Sequence, residues 1–202
     1  MNKIYNNNSI LRHNWTSDEA KSIIDQPLLD LVYKAQTVHR SNFPKNEIQK
    51  SKLLSIKTGS CPEDCSYCSQ SAHHNVDLKK EPLISLEEVV TAAEDAVKEG
   101  ATRFCMGAAW RGPTDKNIDQ VCDMVKAVND LGLESCVTLG MLKEGHAEKL
   151  AKSGLNYYNH NIDTSEEFYK SIITTRNFSD RIDTLEKVRN AGVKVCSGGI
   201  IG

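Results

Sequence analysis

Helical periods that end in glycine and pass at once into a short apolar strand recur four times along the chain: KEGATRFCMG, DLGLESCVTLG, KSGLNYYNHNID and NAGVKVCSGGIIG. Gly100, Gly132, Gly154 and Gly192 fall where a helix C-terminus needs left-handed backbone. The helices carry start signals of their own. Ser85 with Glu88 three residues on forms a capping box that opens SLEEVVTAAEDAVKEG, and Ser179 is placed to start DRIDTLEKVRNAG. With KLLSIKT added in front, five strands alternate with helices, the pattern of a parallel α/β sheet with right-handed crossovers. Upstream, SDEAKSIIDQPLLDLVYKAQTVHRSNF reads as two short amphipathic helices, the second opened by Pro27. The expected organisation is an N-terminal helical cap over residues 1–50 and a β/α region over residues 51–202, with no further domain.

A (β/α) barrel and an open doubly wound sheet both fit this alternation, and the strand interiors favour the barrel. Residues two apart share a face of a strand. Arg103 and Cys105 then lie together on the second strand, and Cys136 and Thr138 on the third. Tyr157, Asn159, Asn161 and Asp163 share a face of the fourth, and Cys196 aligns with Gly198 on the fifth. A purely structural barrel interior is filled by Val, Ile and Leu. Polar and sulfur-bearing side chains in strand after strand imply a bound ligand instead, because buried polar groups are costly without partners. The opposite parity, with Phe104, Val137, Leu139 and Val195, is expected to pack on the helices, and His160 also falls there, outside the barrel. The fold expected is therefore α/β, a TIM-type (β/α) barrel represented by about five of its eight units.

Composition narrows the classes of partner. The 202 residues are 39% hydrophobic and 26% charged, with a net charge of -2 and a pI near 6.3, so no basic field invites nucleic acid. No apolar run is long enough for a membrane span, and the N-terminus lacks a signal or transit pattern, which makes cytoplasm the expected location. Seven cysteines is a high and odd count for a chain with long helical periods, so they read as ligands rather than disulfides. Cys122 is the exception: it shares the apolar face of a helix with Ile118, Val121 and Val125 and is expected in the core. His73 and His74 read as a solvated loop pair, and the sequons at Asn14 and Asn177 as chance matches.

Cys61, Cys65 and Cys68 stand in KTGSCPEDCSYCSQS, just after the first strand, where barrel enzymes keep their active sites. Three thiolates at this spacing suit one soft metal centre. Tetrahedral zinc wants a fourth protein ligand, whereas a four-iron four-sulfur cluster can leave one iron open for a small molecule. CxxxCxYC resembles the signature of the radical S-adenosylmethionine superfamily. Tyr67 is placed to contact the nucleobase of an adenosyl group, or to shield the cluster from water. Cys105, Cys136 and Cys196 follow their glycines by four or five residues on the interior face of three strands, which suggests a second metal centre with a fourth ligand from elsewhere.

Together with WTSDEA, DQPLLDLVYKAQTVHR, FCMGAAWRGP, YYNHNIDTSEEFY and VCSGGIIG, these features resemble the biotin synthase family nearly end to end. The resemblance implies that Cys61, Cys65 and Cys68 bind a 4Fe-4S cluster whose free iron takes S-adenosylmethionine, and that Cys105, Cys136 and Cys196 bind the 2Fe-2S cluster that supplies sulfur. It places Asn159 and Asn161 against dethiobiotin, Asp163 on the adenosyl ribose, and residues 106–110, Ala108 foremost, along the methionine part of the cofactor. Arg103 would support the second cluster electrostatically. The implied reaction is sulfur insertion into dethiobiotin by a 5'-deoxyadenosyl radical, giving biotin, with an electron-donor protein as partner and a homodimer as the assembly. The family's arginine ligand to the two-iron cluster lies farther along than Gly202, and GGIIG reads as the start of a GxIxGxxE motif. The chain is thus expected to be a fragment that loads its first cluster poorly and turns over little by itself. The alternatives are another radical S-adenosylmethionine barrel, of hydrogenase-maturation or methylornithine type, and a non-catalytic fragment that binds zinc or a partner subunit.

Overall fold

The structure, a computed structural model, describes Arg12 and residues 14–200. The asparagine run at residues 6–8 and the last two residues of GGIIG lie outside the described residues. The chain divides into two compact units, Met1–Ile48 and Gln49–Gly202. In the first, α1 (Ser17–Ile24) opens on Thr16, which exchanges hydrogen bonds with Glu19 in a capping box. Arg12 reinforces that start through a 2.6 Å ion pair to Glu19. The second helix, α2 (Leu28–Asn42), begins directly after Pro27, whose fixed φ suits a helix entrance.

In the second unit β1 (Ser51–Lys57), α3 (Leu86–Lys98), β2 (Arg103–Ala108), α4 (Asp115–Asp130), β3 (Glu134–Thr138), α5 (His146–Lys152), β4 (Tyr157–Asn159), α6 (Glu166–Ile172), α7 (Phe178–Asn190) and β5 (Lys194–Cys196) follow one another. The strands pair in parallel in the order β1-β2-β3-β4-β5. A doubly wound sheet starts in the middle and reverses direction at a switch point. Here every strand adds to the same advancing edge, which is the winding of a TIM-type barrel, present as five of its strands. Gly100, Gly132, Gly154 and Gly192 all take positive φ at the ends of their helices, as the pattern predicts.

One face of the sheet forms the core. Phe104, Met106, Val137, Leu139 and Tyr158 are fully buried against Val89, Ala93 and Ala96 of α3, Ile118, Val121 and Val125 of α4, Leu150 of α5 and Val188 of α7. At roughly 1.5–3 kcal/mol for each large apolar side chain removed from water, this layer is the main source of stability. Cys122 belongs to it, as expected.

Two local expectations need correction, and one further helix is present. The cap of α7 is Asn177, whose N–H donates to Asp180 at 2.8 Å; Ser179 already lies inside the helix. The helix α6, which the glycine punctuation does not announce, starts at the cap Ser165. The fourth strand is only three residues long: Asn161 lies beyond β4, and Asp163 turns into left-handed backbone with φ 68°, forming an isolated bridge to Gly199. Asp163 is therefore placed by a turn, which Asp tolerates better than most residues, and not by strand parity.

Candidate active site

From β1 the chain enters a loop that closes on itself. Cys61 N–H donates to Gln70 O at 2.9 Å, Ala72 N–H returns to Cys61 O at 2.8 Å, and Cys68 N–H donates to Cys65 O at 3.0 Å, so the three cysteines sit on one tight fold of backbone. Cys65 is buried against Tyr169 and Ile173, with Cys68 packed at the edge of the same cluster; Cys61 and Cys68 are half-buried. Burial pushes the Cys61 and Cys65 thiols up, and at Cys65 the guanidinium groups of Arg176 and Arg181 oppose that rise. His73 stays exposed in the loop, as expected, donating from Nε2 to Pro62 O at 3.1 Å, whereas His74 is half-buried and donates from Nε2 to Cys65 O at 2.8 Å.

The residues between the first two cysteines anchor the loop to a segment more than a hundred positions downstream. Asp64 accepts from the Thr174 hydroxyl and from the N–H groups of Thr174 and Thr175 at 2.9 and 3.2 Å, and these bonds, the hydroxyl's foremost, hold its carboxyl well below the usual range. Buried Glu63 meets Arg111 at 2.8 Å and the Thr175 hydroxyl, with Arg176 Nε at 3.6 Å. Arg176 Nη2 donates to Cys65 Sγ at 3.2 Å. Its Nε and that of Arg181 both donate to Tyr169 Oη, each at 3.2 Å, and Arg181 Nη2 reaches Asp163. Asp163 also accepts from Tyr67, whose phenol is pushed up first by burial and then by that carboxylate. Tyr67 and Asp163, both predicted on the cofactor side, are thus joined to Cys65 by one continuous polar chain.

Below this loop lies the inner face of the sheet. Cys105 and Cys136 are direct partners across β2 and β3, and their thiols hydrogen bond. That bond, with Arg103 nearby, pushes Cys105 down to about 7, while the same bond and burial push Cys136 up. Cys196 is the register partner of Asn159, two positions farther along the strands than the Cys105–Cys136 row, and it lies close enough to act electrostatically on Cys136. A barrel of this type staggers by about one residue per strand, so a two-residue step from β3 to β5 is the offset that shear introduces. The buried Oδ1 of Asn159 has no protein partner, and Asn161 is exposed beside Gly198. Arg103 pairs with Glu134 at 2.9 Å and stacks 3.8 Å from the Tyr157 ring, one level beneath the cysteines. Gly107, Ala108 and Ala109 line a hollow with Leu53, Ser55, Lys57 and Gln70. Met106, expected in that lining, instead points into the helix-facing core.

Among the described residues no three His, Cys, Asp or Glu side chains converge on a point that a single metal ion could occupy. Zinc, with bonds near 2.3 Å to sulfur, needs such convergence. A polynuclear cluster interposes iron and sulfide between its thiolates and tolerates wider spacing. Three thiolates without a fourth donor, beside two buried guanidinium groups, make a donor set suited to a cluster of net negative charge with an open iron. On the inner face, three more cysteines and an unsatisfied amide oxygen offer soft ligands and a polar contact in the same space.

The Radical SAM superfamily profile matches residues 55–202. The chain belongs to that superfamily. Within it, the chain is 59% identical over 196 residues to the biotin synthase of Psychromonas ingrahamii, covering 97% of this chain and 56% of the relative. It is 62% identical over 188 residues to that of Rickettsia felis, covering 93% of this chain and 61% of the relative. This radical SAM chain thus spans a little over half the length of the curated relatives it matches. Among solved structures it is similar to methylornithine synthase (PylB), with a TM-score of 0.75 at 15% identity over 94% of this chain and 57% of that one. HydG, a maturase of the FeFe-hydrogenase, gives 0.73 at 21% identity over 92% and 43%. These two establish the shared fold.

Several residues of this radical SAM site are invisible to spacing arguments. Glu63 and Asp64 stand between cysteines with no spacing pattern to single them out, and Thr174, Thr175, Arg176 and Arg181 sit in or near a helix junction with no motif of their own. The available signal was chemical: two adjacent carboxylates inside a cysteine loop require partners.

Proposed function

We propose that this chain is the cluster-bearing part of a biotin synthase, a sulfurtransferase that converts dethiobiotin to biotin. The observation that carries the reading is the trio Cys105, Cys136 and Cys196 gathered on the inner face beside Asn159, beneath the Cys61–Cys68 loop. The identity to biotin synthases supports it independently. When bound, a 4Fe-4S cluster with S-adenosylmethionine would supply a 5'-deoxyadenosyl radical for hydrogen abstraction, and a 2Fe-2S cluster the sulfur.

The protein's own part is placement. Cys61, Cys65 and Cys68 would hold the first cluster at the mouth of the sheet, and Cys105, Cys136 and Cys196 the second on its inner face. The open amide oxygen of Asn159, with Asn161 above it, suits the N–H groups of a ureido ring. Asp163 keeps acceptor capacity beyond its bonds to Arg181 and Tyr67, enough for a ribose hydroxyl. Ala108, in the small-residue lining at Gly107 to Ala109, would leave room for the methionine portion of the cofactor. The N-terminal helices are read as a cap over residues 1–50. An electron-donor protein, a homodimeric assembly and a cytoplasmic location belong to the same proposal. Among the described residues no helix is long and apolar enough to cross a membrane.

The test is complementation. A chimera of residues 1–200 with the matching C-terminal part of the Rickettsia felis relative should restore growth of a biotin-auxotrophic bacterium on dethiobiotin. Replacing Cys105, Cys136 or Cys196 by Ala should abolish growth and remove the two-iron spectroscopic signal while sparing the four-iron signal. Growth that survives all three replacements would sink the reading and favour another radical SAM chemistry.

A further inference from the structure

Arg176 is buried, yet its closest polar contacts are a thiol and a phenol rather than a carboxylate. Nη2 lies 3.2 Å from Cys65 Sγ and Nε 3.2 Å from Tyr169 Oη, while Glu63 stands off at 3.6 Å and gives its shorter bond to Arg111 at 2.8 Å. Arg181 on the same phenol shows the contrast, because it is matched to Asp163. A buried guanidinium without a close carboxylate is expensive unless another negative group completes its environment. The anion that it faces directly is the Cys65 sulfur once deprotonated. Its backbone is fixed for the purpose: Lys170 Nζ holds Arg176 O at 3.1 Å, and Asp64 holds the two preceding N–H groups.

We infer that Arg176 is a positioning residue for the first metal centre, orienting Cys65 by an N–H···S bond and setting the electron affinity of the cluster that Cys65 ligates. The inference rests on the reading of Cys61, Cys65 and Cys68 as cluster ligands. Donors to a ligating sulfur, and positive charge beside it, favour the more negative, reduced state and so raise the reduction potential. The bond also couples the cluster to Tyr169 and, through it, to Arg181 and Asp163.

Arg176→Met and Arg176→Lys test this with three readouts, none of them turnover. In the chain without metal, hydrogen exchange at residues 61–72 should speed up at least tenfold in Arg176→Met, with less change in Arg176→Lys, which keeps the buried charge. After anaerobic loading with iron and sulfide, Arg176→Met should retain less iron per chain, and its cluster should have a more negative midpoint potential than the parent. Arg176→Lys, which folds with its charge in place, should lie between the two. A potential and an exchange pattern unchanged in both variants, with the parent loading normally, would overturn the inference alone. Failure of the parent chain and of the chimera above to take up iron would overturn the ligand reading, and this inference with it.

Discussion

Arg181 donates from Nη2 to Asp163 Oδ2 with 8% and 5% of the two side chains exposed, so the ion pair closing the chain from the cysteine loop is essentially dry. Removing one member leaves the other charge buried and alone. Arg181→Met should therefore destabilise the chain by about 3–5 kcal/mol, measured by urea unfolding. The double variant Arg181→Met, Asp163→Asn should cost clearly less than the sum of the single changes, since neither charge is then orphaned. Equal, additive losses would mean that the pair is not coupled.

Glu63 should matter to metal loading although it is no ligand. It joins Arg111 to the Thr175 hydroxyl beneath Cys61 and Cys65. Glu63→Ala removes charged hydrogen bonds and should cost about 2 kcal/mol. Iron retained after anaerobic loading should fall in parallel, whereas Asp95→Ala, at an exposed helix pair, should change neither quantity.

Gly140 combines a left-handed backbone with a lack of room for any side chain. Its φ is 84°, and a Cβ there would meet Arg111 O at 2.4 Å and Trp110 O at 2.6 Å. Gly140→Ala should destabilise by at least about 1–3 kcal/mol through strain, with backbone displacement next to β3. Gly132→Ala, also at positive φ but with open space around it, should cost only the conformational penalty of about 1 kcal/mol. Thermal unfolding of the two variants side by side separates strain from collision.

His160 makes stability fall on mild acidification. Burial, then Arg181 and Arg176, push its imidazole down to about 3 from 6.5, and the Tyr158 ring lies tilted against it at 6.2 Å. Below about pH 6.5 the unfolded chain takes up a proton that the folded chain refuses, so stability should decline as pH drops from 6.5 toward 4.5, by at most about 1.4 kcal/mol per pH unit. His160→Gln should flatten that slope. Asp64, whose carboxyl is held low in the fold, loses its contribution only at more acid pH and does not confuse the comparison.

The sheet was legible because its signals are local. Glycine at positive φ after α3, α4, α5 and α7, and alternating parity that sends Phe104 and Val137 to one face and Cys105 and Cys136 to the other, need only a few neighbouring residues to be read. Asp163 is delivered by a left-handed turn and not by the strand whose parity was counted for it. The partners of the cysteine loop were not legible, because nothing near CPEDC in sequence says that its carboxylates will meet Thr174 and Thr175 or that Cys65 will face Arg176. Register likewise decides what spacing cannot: counting from the glycines puts three cysteines level, whereas pairing sets Cys196 opposite Asn159.

The bonds between the cysteine loop and the Thr174 to Arg176 segment span 110 and 111 residues. Contacts so distant in sequence form only after the entropy of closing the intervening chain has been met, which happens late in folding. Until α6 and the segment after it are in place, Cys61, Cys65 and Cys68 belong to an untethered loop whose thiols would take any soft metal on offer. A nascent chain halted before Thr174 should therefore chelate soft metals with little selectivity.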